Sequence, residues 1–107
     1  MNHTVIPDVR AEVEIPRDGT LSRVLHRDDR LRVVVFGFDA GQELTEHTAA
    51  VPAVLQIVSG RFRVTLGEET VELGEGAWVH MPAALPHSLE ALEPGVLLLT
   101  LLRDVAV

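Results

Sequence analysis

Gly41-Gln-Glu-Leu-Thr-Glu-His47, running on to Ser59-Gly60, and Gly76-Ala-Trp-Val-His-Met-Pro82, running on to His87, decide the reading of this chain. In both, a glycine opens a run of five residues that closes on a fixed partner, His47 in one and Pro82 in the other. Between them lies about one β-hairpin of sequence, with a turn at Ser59-Gly60 and another at Gly67-Glu68-Glu69. Glycine supplies the unusual backbone angles that such turns need.

Outward from these stretches, short runs rich in Val, Leu, Ile and Phe alternate with turn residues. Strands are predicted at Leu21–His26, Leu31–Phe38, Ala53–Val58, Arg61–Leu66, Thr70–Leu73, Ala77–Met81, His87–Leu92 and Val96–Leu102. Many short strands at even spacing indicate an all-β sandwich or barrel. Arg61-Phe-Arg-Val-Thr-Leu66 alternates polar and apolar, so one of its faces meets water. Val96-Leu-Leu-Leu-Thr-Leu-Leu102 hardly alternates, so both of its faces need cover, either from the same chain or from a second subunit. The latter possibility is the reason to expect a homodimer. Residues 1–20, with Pro7 and Pro16, read as an N-terminal arm or edge strand, and residues 21–107 as the barrel domain.

The two glycine-led stretches resemble the paired signature motifs of the cupin family, over roughly Leu31 to Leu102. That resemblance implies a double-stranded β-helix, the jelly-roll barrel, with metal-binding side chains gathered inside it. The family's first motif runs Gly, five residues, His-x-His, three or four residues, Glu, six residues, Gly. Gly41, His47 and Gly60 keep that frame, while Ala49 stands at the second histidine and Ala53 at the glutamate. The second motif runs Gly, five residues, Pro-x-Gly, two residues, His, three residues, Asn. Here Gly76, Pro82 and His87 match, Ala84 replaces the glycine and Ala91 the asparagine.

The resemblance thus implies His47 and His87 as metal ligands. His80 is an additional candidate: on a neighbouring strand it could meet His87 in the cavity, or it could pack on the outer face with Trp78, whose parity it shares. Ala49, Ala53 and Gln56 are the candidate ligand-lining positions, although alternation from Ala53 directs Gln56 outward unless a bulge intervenes. Imidazole nitrogens suit divalent zinc, iron, nickel or copper, with manganese also within the family's range. His3 and His26 lack motif context and read as surface residues.

Composition narrows the function classes. One core is all that 107 residues provide, and an apolar content of 47% is that of a packed globular domain. The absence of cysteine excludes disulfides and thiolate sites. A formal net charge of -7 without a basic cluster argues against nucleic acid as a partner. The apolar run at Val96–Leu102 is far short of the ~20 residues of a membrane span. The N-terminus lacks the basic and apolar regions of a secretory signal, so a cytoplasmic location is expected. No serine sits in a recognisable nucleophile–base pattern, and Glu43 and Glu46 read first as solvating groups, with a general-base role as the alternative.

Two functional readings follow. In one, His47 and His87, with or without His80, hold a divalent transition metal that binds or acts on a small oxygen-bearing molecule. In the other, the alanines leave a larger, drier, metal-free cavity that binds a small apolar molecule, as a sensor or binding module would. A filled barrel serving only in assembly is a third possibility.

Overall fold

Alternation of buried and exposed residues builds nine strands, and a computed structural model describes them over residues 2–103. Met1 and residues 104–107, which belong to the arm and barrel spans expected above, lie outside the described residues. The strands are β1 Thr20–Arg27, β2 Leu31–Phe38, β3 Glu43–His47, β4 Ala53–Ser59, β5 Arg61–Leu66, β6 Glu69–Gly74, β7 Trp78–Met81, β8 His87–Ala91 and β9 Gly95–Leu102. Eight coincide with the predicted strands to within a residue or two at their ends; β3 had not been predicted as a separate strand.

The strands form two antiparallel sheets, ordered β1-β2-β9-β4-β7 and β3-β8-β5-β6. Their facing surfaces make the core, so the fold is an all-β jelly-roll barrel. Phe38, Leu55, Ile57 and Leu97 come from the first sheet, and Phe62, Val64, Leu89 and Ala91 from the second. Phe38 and Phe62 meet edge to face across the barrel with centroids 5.5 Å apart, a favoured aromatic geometry. Among the described residues, no helix is long and apolar enough to cross a membrane.

On β9, Leu97, Leu99 and Leu101 belong to the core side, leaving Val96, Leu98 and Thr100 on the outer face. Part of the cover for that outer face comes from the chain itself. Residues 2–19 contain a short 3-10 turn at Val9–Glu12 and no strand, so they form an arm rather than an edge strand. The arm crosses the first sheet: a Cβ on Gly37 would stand 2.4 Å from the Glu14 carbonyl oxygen, and Arg23 Nη1 donates to the Glu12 carbonyl at 3.4 Å. Under this cover Val35 is 0% exposed although it points away from the core. Gly37 lacks a side chain because another backbone occupies its place.

Turn chemistry fixes the register. Between β1 and β2, Asp28 accepts from the backbone N–H groups of Arg30 and Leu31 at 2.7 and 3.0 Å. With His26 Nε2 2.6 Å away, the hydrogen bond from His26 followed by those two N–H groups lowers the Asp28 carboxyl to about 2. Ahead of β8, Ala84 has φ +67°, a left-handed conformation that glycine adopts freely. The turn retains the shape of the motif although the glycine is gone.

Candidate functional site at the barrel mouth

β3 and β8 place the two motif histidines opposite one another. Their register runs Glu43↔Glu90 and Leu44↔Leu89, then shifts so that His47 pairs with His87. From Leu44 to His47 is three steps, while from Leu89 to His87 is two, so β3 carries one extra residue there. This β-bulge interrupts the two-residue alternation and turns both Leu44 and His47 toward the cavity, with Thr45 and Glu46 exposed between them. Without the bulge, Glu46 would share the face of Leu44 and His47 would point out.

The imidazoles stand with ring centroids 4.1 Å apart and planes at 62°. His87 is 8% exposed, while His47 is at the exposed rim. Each ring is held by its own strand. His47 Nδ1 donates to the Thr45 carbonyl at 2.8 Å, and His87 Nδ1 to the Leu85 carbonyl at 2.9 Å. A carbonyl oxygen only accepts, so the proton of each neutral ring sits on Nδ1 and the lone pair on Nε2. Fixing one nitrogen in this way prepares the other to bind a metal ion.

The cavity beneath them is about 20 Å³ and is walled mainly by Phe36, Leu44, Leu55, Met81 and Leu99. It holds about one water-sized body. The expected enlargement by the two alanines does not occur. Ala53 is buried but lies directly opposite Met81, whose side chain lines the cavity. Ala49 follows β3 in a loop, where its carbonyl accepts from the Ala84 N–H at 2.8 Å, so it is not an inward strand position.

The convergence of His80 with the other two histidines also fails. On β7, Val79 and Met81 pack toward the core, so His80 faces the outside, exposed, in register with Val54. Gln56 is exposed on the same outer face, paired with Trp78. Strand parity decides both positions, and β7 has no bulge to change it. Among the described residues, no three His, Cys, Asp or Glu side chains gather in a way that could hold a metal ion. Met81 is a cavity residue that the motif patterns do not single out; its placement opposite Ala53 is a matter of strand register, which leaves no signal in the sequence.

A larger depression of about 360 Å³ lies on the outer face of the second sheet. It contains Glu43, Glu46, Arg63 and Glu90, so the two glutamates considered as general bases line the outer face and not the histidine cavity. Its central charges are already paired, with Arg63 Nη1 2.8 Å from Glu90 Oε1. The histidine cavity is far smaller, yet it is where uncommitted donor atoms converge.

Residues 34–101 match the family described as Cupin domain. The chain is a member of the cupin family. A protein of unknown function from Streptococcus pyogenes is 36% identical, with a TM-score of 0.87 over 99% of this chain and 93% of that one. A cupin superfamily protein from Desulfitobacterium hafniense superposes with a TM-score of 0.85 at 20% identity, covering 97% of this chain and 94% of that one. An uncharacterised protein of Streptomyces coelicolor is 33% identical over 70 residues, and the match spans 65% of this chain and 66% of that protein. These likenesses establish a cupin barrel, and proteins of the cupin family often bind divalent metals. Two oriented imidazoles fit a nitrogen-preferring first-row ion. The lack of a carboxylate does not fit ions that prefer oxygen, manganese among them.

Proposed function

We propose that this cupin holds a transition-metal ion through Nε2 of His47 and Nε2 of His87, at the mouth of the barrel, and presents it to a small oxygen-bearing ligand. The observation that carries this reading is the pair of Nδ1 hydrogen bonds to the Thr45 and Leu85 carbonyls, which leaves both Nε2 lone pairs free in adjacent rings. Such an ion would supply Lewis acidity to whatever oxygen reaches it. The protein's part is to orient the imidazoles, to exclude bulk water on the Leu55 and Met81 side, and to admit a ligand at the exposed His47 side.

Size disfavours the metal-free alternative. Pockets that enclose small organic molecules measure roughly 300–1,000 Å³, against about 20 Å³ here. An ion fits that space, and a molecule of that class does not.

The test is elemental analysis of untagged protein purified without chelator, beside His47→Ala/His87→Ala. Near-stoichiometric metal that disappears in the double variant is the expected result. Metal absent from both proteins after soaking with zinc, iron, nickel and copper, or equal in both, would remove the proposal.

Self-association is proposed through the outer face of the first sheet. Trp78 is 61% exposed there, beside Gln56, which is exposed as well. Light scattering should then give twice the 11.7 kDa chain mass and a single-chain mass for Trp78→Glu. A wild-type mass of one chain would end the dimer proposal.

A further inference from the structure

We infer that the thioether of Met81 is the third donor of the histidine site and that the set selects monovalent copper. This inference rests on the reading of His47 and His87 as ligands and goes beyond it in naming the ion.

The geometry begins with a substitution in the cupin pattern. Ala53 stands where the family pattern places a carboxylate. In the β4–β7 pairing its direct partner is Met81, and directly opposed residues on one face have Cβ atoms about 4.5–5.5 Å apart. Both are buried, at 2% exposure. The flexible Met81 side chain lines the cavity together with both histidines, on the strand next to the alanine. The residue opposite position 53 thus offers a soft thioether sulfur, while position 53 itself offers no oxygen. Thioether sulfur and imidazole together favour Cu(I), whereas oxygen donors favour harder ions.

Charge points the same way. Two neutral imidazoles and a thioether bring no negative charge to offset the ion, and the remaining wall is hydrocarbon. The cost of placing an ion in such a medium rises with the square of its charge, so a divalent ion pays about four times the penalty of a monovalent one. The neighbouring acids do not alter this balance: Glu43, Glu46 and Glu90 lie on the outer face of the second sheet, and Glu90 is paired with Arg63. The chain has no cysteine, and among the described residues Met81 is the sulfur that lines this cavity.

The experiment is an anaerobic competition titration with Cu(I) and bicinchoninate as the reporting chelator, run beside a Zn(II) titration. His3→Ala serves as the common background, which removes the arm histidine as a competing site. The proteins compared are that background, Met81→Leu and His47→Ala/His87→Ala. Leucine nearly conserves volume, and thermal melting verifies that each variant is folded. Expected is one Cu(I) per chain, bound at least tenfold more weakly by Met81→Leu, with Zn(II) affinity changed less than twofold. A sulfur neighbour should also appear in the copper X-ray absorption spectrum and vanish in Met81→Leu. Unchanged Cu(I) affinity in Met81→Leu, with binding still lost in the double histidine variant, would overturn the role of Met81 and leave the histidine site standing. Undiminished Cu(I) binding by the double histidine variant, or no binding of either metal by the background protein, would overturn both.

Discussion

Phe62→Ala is expected to lower the unfolding free energy by about 3–5 kcal/mol, the usual cost of removing a buried phenylalanine. Phe62 is fully buried. It meets Phe38 edge to face at 5.5 Å, and its ring lies so close over Gly95 that a Cβ there would stand 2.8 Å from Cε1. It therefore joins the two sheets at the end of the barrel where the β4–β5 and β8–β9 turns meet. Backbone surrounds it on the Gly95 side, so collapse into the vacated space should be limited, which favours the upper part of that range. Domains of this size are stable by roughly 5–15 kcal/mol, so the variant should lose a large fraction of its stability. Urea denaturation of the metal-free protein reads the difference directly. A loss below 2 kcal/mol at unchanged m-value would show that the barrel end is not the rigid junction described here.

Gly60→Ala should destabilise the same junction by about 2–5 kcal/mol, combining left-handed backbone strain with overpacking. Gly60 has φ +81°, and a Cβ on it would lie 2.6 Å from the Pro94 carbonyl oxygen and 2.7 Å from Gly95 Cα. Both obstacles are backbone, so neither can move aside as a side chain would. Ser59 adds to the constraint, because its buried hydroxyl accepts from the Val96 N–H at 3.2 Å where the β4–β9 register shifts. Gly76→Ala is the matched control. Its φ is +90° but nothing lies within 4 Å of a Cβ there, so it should show only the conformational part, about 1–2 kcal/mol. Equal losses in the two variants, measured by urea denaturation, would mean that the close approach of the turns contributes nothing.

These two positions show why the barrel could be read from the chain. Gly60 and Gly76 mark turns, and alternation marks inner faces: Phe62 and Val64 in β5, and Leu55 and Ile57 in β4, fall on the core side as their parity requires. Both signals are local, set by backbone sterics and by the pleat of a strand. The cover of β9 was only half legible. Its mostly apolar run announced two covered faces, and Pro7 and Pro16 marked an arm or edge strand, yet nothing in the sequence placed that arm over Val35 and Gly37. Packing between segments distant in sequence leaves no periodic trace.

The site depended still more on the tertiary structure. By itself the sequence determined the strands, the turn glycines and the two motif histidines, because each rests on a residue's own conformational preference or on spacing along one strand. Only the assembled sheets decided that a bulge between Leu44 and His47 aims His47 inward, that His80 faces out, and that Met81 stands opposite Ala53. Those are matters of register between strands, and register is set by how two sheets close on a shared core.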